Sequence, residues 1–223
     1  MKKTILDDGS YPYLVEGAQL VGDCGIPALM DLRNTQIPSC IVPFTKAKNR
    51  SLKIRRGYVH FYEHDKYFSD ILTSTKRYLD VLKMYDGVIT PDCSMIRGRA
   101  RCVQQINTYF NRAVGFYLQT NGIPVIPNIR WSDENSFDFC FLGVPLHTIV
   151  SISTHGCIRS RKEQDIFILG LNKMLEVLKP SSVIVHGHMP PYIFDGFKNK
   201  CPFYRFPSQF ELTHTKEASW ALE

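Results

Sequence analysis

Four short runs rich in β-branched residues, each ending abruptly in polar or glycine residues, limit what this chain can fold into. They are Gly87-Val88-Ile89-Thr90-Pro91-Asp92, Ile123-Pro124-Val125-Ile126-Pro127-Asn128-Ile129-Arg130-Trp131, Ile149-Val150-Ser151-Ile152-Ser153-Thr154-His155-Gly156 and Ser182-Val183-Ile184-Val185-His186-Gly187-His188. A strand covered on both faces reads as a continuous apolar run, and parallel strands are the usual case. Tyr58 to Tyr62, before Glu63-His64-Asp65, and Phe203 to Phe206, before Pro207, read the same way.

Helical patterns of crossover length lie between them. Tyr67 to Tyr85 sets Phe68, Ile71, Leu72, Tyr78, Leu79 and Leu82 on one face. Arg97 to Thr120, closed by Asn121-Gly122, is a second. Lys162 to Lys179 is a third, with Ser160-x-x-Glu163 as a capping box and Pro180 as the stop. This alternation predicts βαβ units and an α/β fold built mainly on a parallel sheet. Ile26 to Met30 and Cys40 to Val42 add up to two strands joined without a full helix. Roughly six to eight parallel strands suit an irregular TIM-barrel-like fold, with an open doubly wound sheet as the alternative. No linker or internal repeat divides the chain, so residues 1–223 read as a single domain with its core at about 26–210. The Arg50–Arg56 loop and the tail at 213–223 read as peripheral.

Composition excludes some classes. A 44% hydrophobic content suits a globular core. No stretch approaches the roughly 18 apolar residues of a membrane span. The start turns acidic at Asp7-Asp8, where a signal peptide needs an apolar run, so a cytoplasmic protein with no membrane partner is expected. The cysteine count is an odd seven with no Cys-x-x-Cys, which speaks for free thiols and against a disulfide framework or a zinc knot.

The formal charge of +6 is unevenly spread. No acidic residue falls between Asp31 and Glu63, where Arg33, Lys46, Lys48, Arg50, Lys53, Arg55 and Arg56 lie. None falls between Asp92 and Asp133, where Arg97, Arg99, Arg101, Arg112 and Arg130 lie. Such stretches attract phosphates, on small molecules or on nucleic acid, although a solvated basic surface has the same composition.

In parallel α/β folds ligands sit at the carboxyl ends of the strands. Those ends carry His64, Asp65, Asp92, Arg130, Trp131, Asp133, Thr154, His155, His186 and His188. Imidazoles and carboxylates gathered there point to a site without naming its chemistry. Three readings compete. Asp65, Asp92, His155 and His186 would hold a divalent metal that activates water, although no His-x-x-x-His or Asp-x-Asp spacing supports it. Asp92 with His155 would do metal-free acid–base work on a substrate held by Arg130 and stacked on Trp131. Cys157 or Cys93 would act as a nucleophile near His155, which needs a depressed thiol pKa. Acid–base chemistry of a hydrolase or lyase is preferred, and the one cofactor the residues leave open is the divalent metal of the first reading. His186-Gly187-His188 differs from the metal-binding histidine pair of rolling-circle nucleases in its central glycine, and Tyr109 and Tyr117 read as helix packing. On the second helix Gln104, Asn107 and Asn111 form a polar stripe with Arg112 beside it. The stripe is read first as an internal network pinning neighbouring loops, and second as Asn107 and Arg112 reaching an anionic ligand.

The motifs Asp86-Gly87-Val88-Ile89-Thr90-Pro91-Asp92, Asn107-Thr108-Tyr109-x-x-Arg112-x-x-Gly115, Trp131-Ser132-Asp133, Phe139-Cys140-Phe141-x-Gly143-Val144-Pro145 and Ser153-Thr154-His155-Gly156-Cys157 occur in this order. Together they resemble an uncharacterised domain-of-unknown-function family of bacteria, their phages and integrated mobile elements. The resemblance spans about Ile26 to Phe210 and implies a compact α/β fold without a settled activity. Asp65, Asp92, Asn107, Arg112, Trp131 and Asp133 fit its motifs. The position of His64 is often acidic in that family and that of His186 often aromatic, which weighs against a metal site built on either. The expectation is therefore an enzyme or binder for a phosphorylated or nucleotide-like small molecule. The alternative is a nucleic-acid- or protein-binding accessory factor using the basic stretches 33–56 and 97–130. Oligomeric state is left open.

Overall fold

The computed structural model describes residues 11–31, 35–49 and 56–214. Strands β1 (Leu20–Val21) and β2 (Ile26–Pro27) form an antiparallel ribbon. Strands β3 (Ile41–Pro43), β4 (Tyr58–His60), β5 (Gly87–Ile89) and β6 (Val125–Ile126) form a four-stranded parallel sheet in that order. Strands β7 (Ile149–Ser153), β8 (Ser182–His186) and β9 (Phe203–Phe206) form a three-stranded parallel sheet. The two sheets are continuous through one bridge between Asn128 and Ser151. Ile129 N donates to Ser151 O at 2.8 Å, and Ser151 N to Pro127 O at 2.8 Å. The regular ladder stops at β6 because Pro124 and Pro127 flank it and have no N–H to give.

Strand order follows the sequence, without the reversal that marks a doubly wound sheet. The sheet also curls. His60 and His186, at the ends of β4 and β8, would be roughly 19 Å apart across four strand spacings of a flat sheet. Their ring centroids are 5.2 Å apart. On the inner face Ile41, Tyr58, Ile89, Ile126, Ile149, Ile184 and Phe206, drawn from β3 through β9 in turn, join one apolar cluster. Among the described residues no backbone pairing joins β9 to β3. The side chains of Lys46 and Gln209 meet there at 3.4 Å. The α/β class and the parallel βαβ construction are thus as expected, and a closed ring of strands is not among the described features.

The helices are α1 (Phe44–Ala47), α2 (Ser69–Thr73), α3 (Leu79–Leu82), α4 (Arg101–Thr120), α5 (Arg161–Leu178), α6 (Pro191–Phe194) and α7 (Gln209–His214). The first four share a core with β4 and β5 that includes Phe44, Phe68, Leu82, Val88 and Val114. Helices α5 and α6 share a second with β7 and β8 that includes Ile152, Phe167, Leu171, Val183 and Phe194. Helix α5 starts as the sequence indicates. Glu163 N donates to Ser160 Oγ at 3.3 Å, and Ser160 N to Glu163 Oε2 at 2.9 Å.

Several elements differ from expectation. The pattern from Tyr67 to Tyr85 is not one helix but α2 and α3 with 3-10 turns at Asp65–Tyr67 and Thr75–Tyr78. Thr75 Oγ1 donates to Ile71 O at 2.5 Å and the Tyr78 hydroxyl to Asp70, and such side-chain bonds compete with the helical ladder. The apolar face survives the break, since Phe68, Ile71, Tyr78 and Leu82 are all buried. Helix α4 starts at Arg101 rather than Arg97, after Gly98 turns the chain at φ 78°. Ile26 pairs in the antiparallel ribbon and not in the parallel sheet, whereas Ile41 and Val42 do join it. Of the loop and tail read as peripheral, residues 50–55 and 215–223 lie outside the described residues. No described helix is long and apolar enough to cross a membrane.

All seven cysteines are free thiols. Thiol titration of the denatured chain without reductant, handled under nitrogen, is expected to count all of them. A count lower by two would reveal a disulfide.

Candidate functional site

Asp92 enters solvent reach where the β5 run ends, and its two oxygens have different partners. Asn128 Nδ2 donates to Oδ1 at 2.8 Å, and Arg130 Nη1 lies 3.4 Å from Oδ2. The Asp92 side chain is 12% exposed and that of Arg130 24%, so the pair is largely withdrawn from water. Asn128, fully buried, is oriented by the Tyr62 hydroxyl, which donates to Oδ1 at 3.0 Å and also meets Ser151 Oγ at 2.5 Å. The chain of contacts Tyr62–Asn128–Asp92–Arg130 therefore links the segments following β4, β5 and β6. Burial pushes the Asp92 carboxyl above its ordinary value, against the pull of Arg130 and of the Asn128 hydrogen bond. Burial, with the charge of Asp92 adding, holds the Tyr62 phenol well above its ordinary value and keeps it a donor.

Beside this chain lies a cavity of about 350 Å³ between the segments after β5, β6 and β7 and the first half of α5. Arg97, Arg130, Trp131, Gly156 and Phe167 are among its walls. Trp131 is 8% exposed and packs on Phe167, with ring centroids 5.3 Å apart. It fits because residue 170 of α5 is glycine, and a Cβ there would fall 2.1 Å from the indole Nε1. Arg97 is exposed and has no carboxylate partner among the described residues.

The other expected site residues divide into neighbours of Asp92 and parts of the scaffold. His155 is exposed, its ring centroid 6.3 Å from that of His186. His186 is buried, with Nδ1 3.0 Å from Ser153 Oγ and its ring stacked on Tyr62 at 4.3 Å. Burial, with His155 adding, pulls the His186 imidazole down to about 3. Burial likewise holds His60 well below its ordinary value, so both rings are neutral at physiological pH. Asp65 accepts from Ser94 N at 3.1 Å and Ser94 Oγ at 2.8 Å, and Asn107 Nδ2 donates to Ser94 O at 2.6 Å. These two residues hold the segment that carries Asp92. Thr154 spends its hydroxyl on His188 O at 2.6 Å. Asp133 accepts from Asn135 N at 3.1 Å as the cap of a 3-10 turn, and no contact among the described residues joins it to Asp92 or Arg130.

Arg112 corrects the expectation of an anion ligand. It is 1% exposed. Its guanidinium donates to Leu142 O at 3.0 Å, Asn128 O at 3.1 Å, Cys140 O at 2.9 Å and the Asn111 side chain. The buried polar stripe of α4 is thus the internal network, and Val103 and Ile106 of the same helix are exposed instead. Arg101 is paired with Asp138, which takes a further cation out of the 97–130 stretch. In the 33–56 stretch, residues 33, 50, 53 and 55 lie outside the described residues.

Among the described residues no three His, Cys, Asp or Glu side chains come together as metal ligands. Asp65 is turned to Ser94, Asp92 to Asn128 and Arg130, and His186 to Tyr62 and Ser153. Burial raises the thiols of Cys93 and Cys157, the reverse of what a cysteine nucleophile requires. Tyr109 and Tyr117 pack against the core behind β4 and β5.

Tyr62, Asn128 and Ser151 belong to the cluster, and sequence patterns do not single them out. Tyr62 ends an aromatic strand-like run and looks like packing there. The one available signal for Asn128 is an amide lying between Pro127 and Ile129, where a buried strand leaves it no water.

Parallel strands whose carboxyl ends converge on a half-buried carboxylate–guanidinium pair beside a cavity define an α/β protein with a polar strand-end pocket. Within that class the chain belongs to the domain-of-unknown-function family DUF4417, whose model matches residues 18–204. The Gene 1 protein of Mycobacterium phage L5 is 32% identical over 161 residues, which cover 71% of this chain and 70% of that protein. The Gene 1 protein of Mycobacterium phage D29 is 31% identical over 161 residues, which cover 71% of this chain and 60% of that protein. The phage setting implied by the sequence motifs is met in both relatives. No solved structure matches the chain.

Two outcomes follow from the buried cations and imidazoles. Arg112→Lys is expected to lower stability by about 3 kcal/mol in urea unfolding, because an ammonium cannot reach all the carbonyls that the planar fork satisfies. A stable Arg112→Lys protein would return Arg112 to the set of ligand contacts. Depressed folded-state values for His60 and His186 mean that folding holds both neutral while the unfolded chain takes up protons below about 6.5. Their stability contribution is complete above pH 6.5 and is lost as pH falls toward the folded value of about 3 for His186. Each adds up to about 1.4 kcal/mol per pH unit. Thermal unfolding of His186→Asn should therefore show a shallower loss between pH 6.5 and 4, and an unchanged slope would refute the assignment.

Proposed function

We propose that this chain binds a phosphorylated or nucleotide-like small molecule at the carboxyl ends of its strands and acts on it by acid–base chemistry. The observation that carries this reading is the Asp92–Arg130 pair on the edge of the cavity. Arg130 gives Asp92 one long contact at 3.4 Å, which leaves the rest of its planar fork for a phosphate. A carboxyl raised by burial holds its proton more readily than an exposed one, which suits it to take up and give a proton. His155, exposed beside it, is the second proton-transfer group, and Trp131 is the wall against which a ring can lie.

The rival reading is a nucleic-acid- or protein-binding accessory factor that uses the basic stretches. The two differ in what Asp92 contributes. Calorimetry and thermal shift with a panel of phosphorylated metabolites are the direct test. Asp92→Asn keeps an acceptor for Asn128 and deletes the charge, so it should change stability by about 1 kcal/mol or less while abolishing turnover of a ligand found in the panel. A raised folded-state pKa means that ionising Asp92 costs stability as pH rises from about 4 through its folded value, so the neutral variant should not lose stability above that range on this account. Steeply salt-dependent DNA binding, untouched by Asp92→Asn, would favour the rival.

A further inference from the structure

We infer, resting on the reading that Asp92 is a proton-transfer group, that Tyr62 is a positioning residue for it. Acting through Asn128 and backed by Ser151, Tyr62 sets how readily Asp92 takes up a proton.

Alternation along the strands places the partners. Val59 and Phe61 of the β4 run enter the core shared with the helices, so Tyr58 and Tyr62 turn to the inner face. Val150 and Ile152 of β7 likewise pack outward, which turns Ser151 inward to meet Tyr62. The backbone of Asn128 is pinned, its N–H on Thr90 Oγ1 and its carbonyl under Asn111 and Arg112. Its side chain keeps one freedom. An amide turned end for end has the same shape with oxygen and nitrogen exchanged, so packing cannot choose between the two orientations and hydrogen-bond partners must.

Among the described residues those partners are Tyr62 and Asp92. An amide oxygen facing Asp92 suits a protonated carboxyl, and an amide nitrogen suits a carboxylate. The Tyr62 hydroxyl decides for the nitrogen. It donates to Oδ1 at 3.0 Å and leaves Nδ2 2.8 Å from Asp92 Oδ1. Because the phenol proton is on Asn128, Ser151 must be the donor in its 2.5 Å contact with Tyr62. Hydroxyl, phenol and amide therefore donate in one direction, and the series ends on Asp92. Donors aligned in series polarise one another, and a donor to the charged form favours that form. Burial keeps the phenol protonated, so the series holds its direction while a carboxyl titrates. The other groups near Asp92 act through space. Arg130 and His155 favour its charge, Asp65 opposes it, and Cys93 and Cys157 stand by as neutral thiols. None of these is altered by removing one phenol oxygen.

Tyr62→Phe deletes that oxygen and keeps a ring to stack on His186. Carboxyl-carbon NMR of Asp92 through a pH titration reads the result without any ligand. The proton affinity of Asp92 is expected to rise roughly three- to tenfold, the equivalent of one hydrogen bond, which moves the titration to higher pH. Ser151→Ala, one step farther back, should raise it by less. Val183→Ala, in the core under α5, should destabilise the fold and leave the titration in place. Where a compound is turned over, the acid limb of its pH profile should move up with the titration in Tyr62→Phe. A folded Tyr62→Phe protein with an unmoved titration would overturn the inference and leave the reading of Asp92 standing. A moved titration with no turnover of any phosphorylated compound would establish the coupling and bring down the functional reading instead. Should Tyr62→Phe not fold, Ser151→Ala decides: a rise supports the inference, and no change overturns it.

Discussion

Asn128 is the joint on which the rest of the fold turns. It is fully buried, and each of its polar groups has a partner in a different part of the chain. Its N–H donates to Thr90 Oγ1 at 2.7 Å, its carbonyl accepts from Asn111 Nδ2 and Arg112 Nη1, both at 3.1 Å, and its amide joins Tyr62 to Asp92. The bridge to Ser151 makes it the point where the four-stranded sheet meets the three-stranded one. Two prolines shorten the backbone ladder around β6 to a single bridge with β7, and the side-chain contacts of Asn128 reinforce that short connection. A satisfied buried network of this kind has one low-energy arrangement, because any other leaves polar groups unpaired in an apolar surround.

The same joint fixes the geometry of the strand-end site. The Tyr62 hydroxyl occupies Asn128 Oδ1, so the amide nitrogen must face Asp92. That single donor holds Oδ1 of the carboxylate in place and leaves Oδ2 to Arg130, the one member of the cluster that also lines the cavity. From the opposite side, Asp65 and Asn107 fasten Ser94 and hence the turn that carries Asp92. Scaffold and site therefore share residues, and several positions that read as ligand contacts are the supports of others.

This sharing sets what the sequence could reveal. The strands were legible because burial on both faces produces unbroken β-branched runs, and α5 because Ser160 and Glu163 announce its first turn. The break at Ser74 is not legible, because the apolar spacing from Phe68 to Leu82 is the same whether the backbone between them is one helix or three short helical pieces. Helix α4 is legible in part. Its polar stripe reads first as an internal network, and Gln104, Asn111 and Arg112 do face inward to satisfy loop carbonyls; the ligand role given to Arg112 is what the sequence misplaces. No pattern of residue types separates an arginine that holds a loop from one that holds a phosphate; only its burial and its four acceptors do.

The curl of the sheet decides where a ligand can go. In a curled parallel sheet the open mouth at the carboxyl ends is the natural position for a ligand. Here that mouth is filled by His60, Tyr62 and His186, stacked against one another across the interior. Burial has stripped the charge from both imidazoles and keeps the phenol protonated, so the plug is a neutral, self-satisfied layer. Among the described residues space reappears to one side, under the segment after β7 and against α5, where Gly156 carries no side chain to fill it. Asp92 and Arg130 stand at the boundary between plug and space. Inside that boundary a charge has no water, and farther out it has no fixed partner. The boundary is the position at which a carboxyl can be both displaced from its ordinary pKa and within reach of a bound molecule.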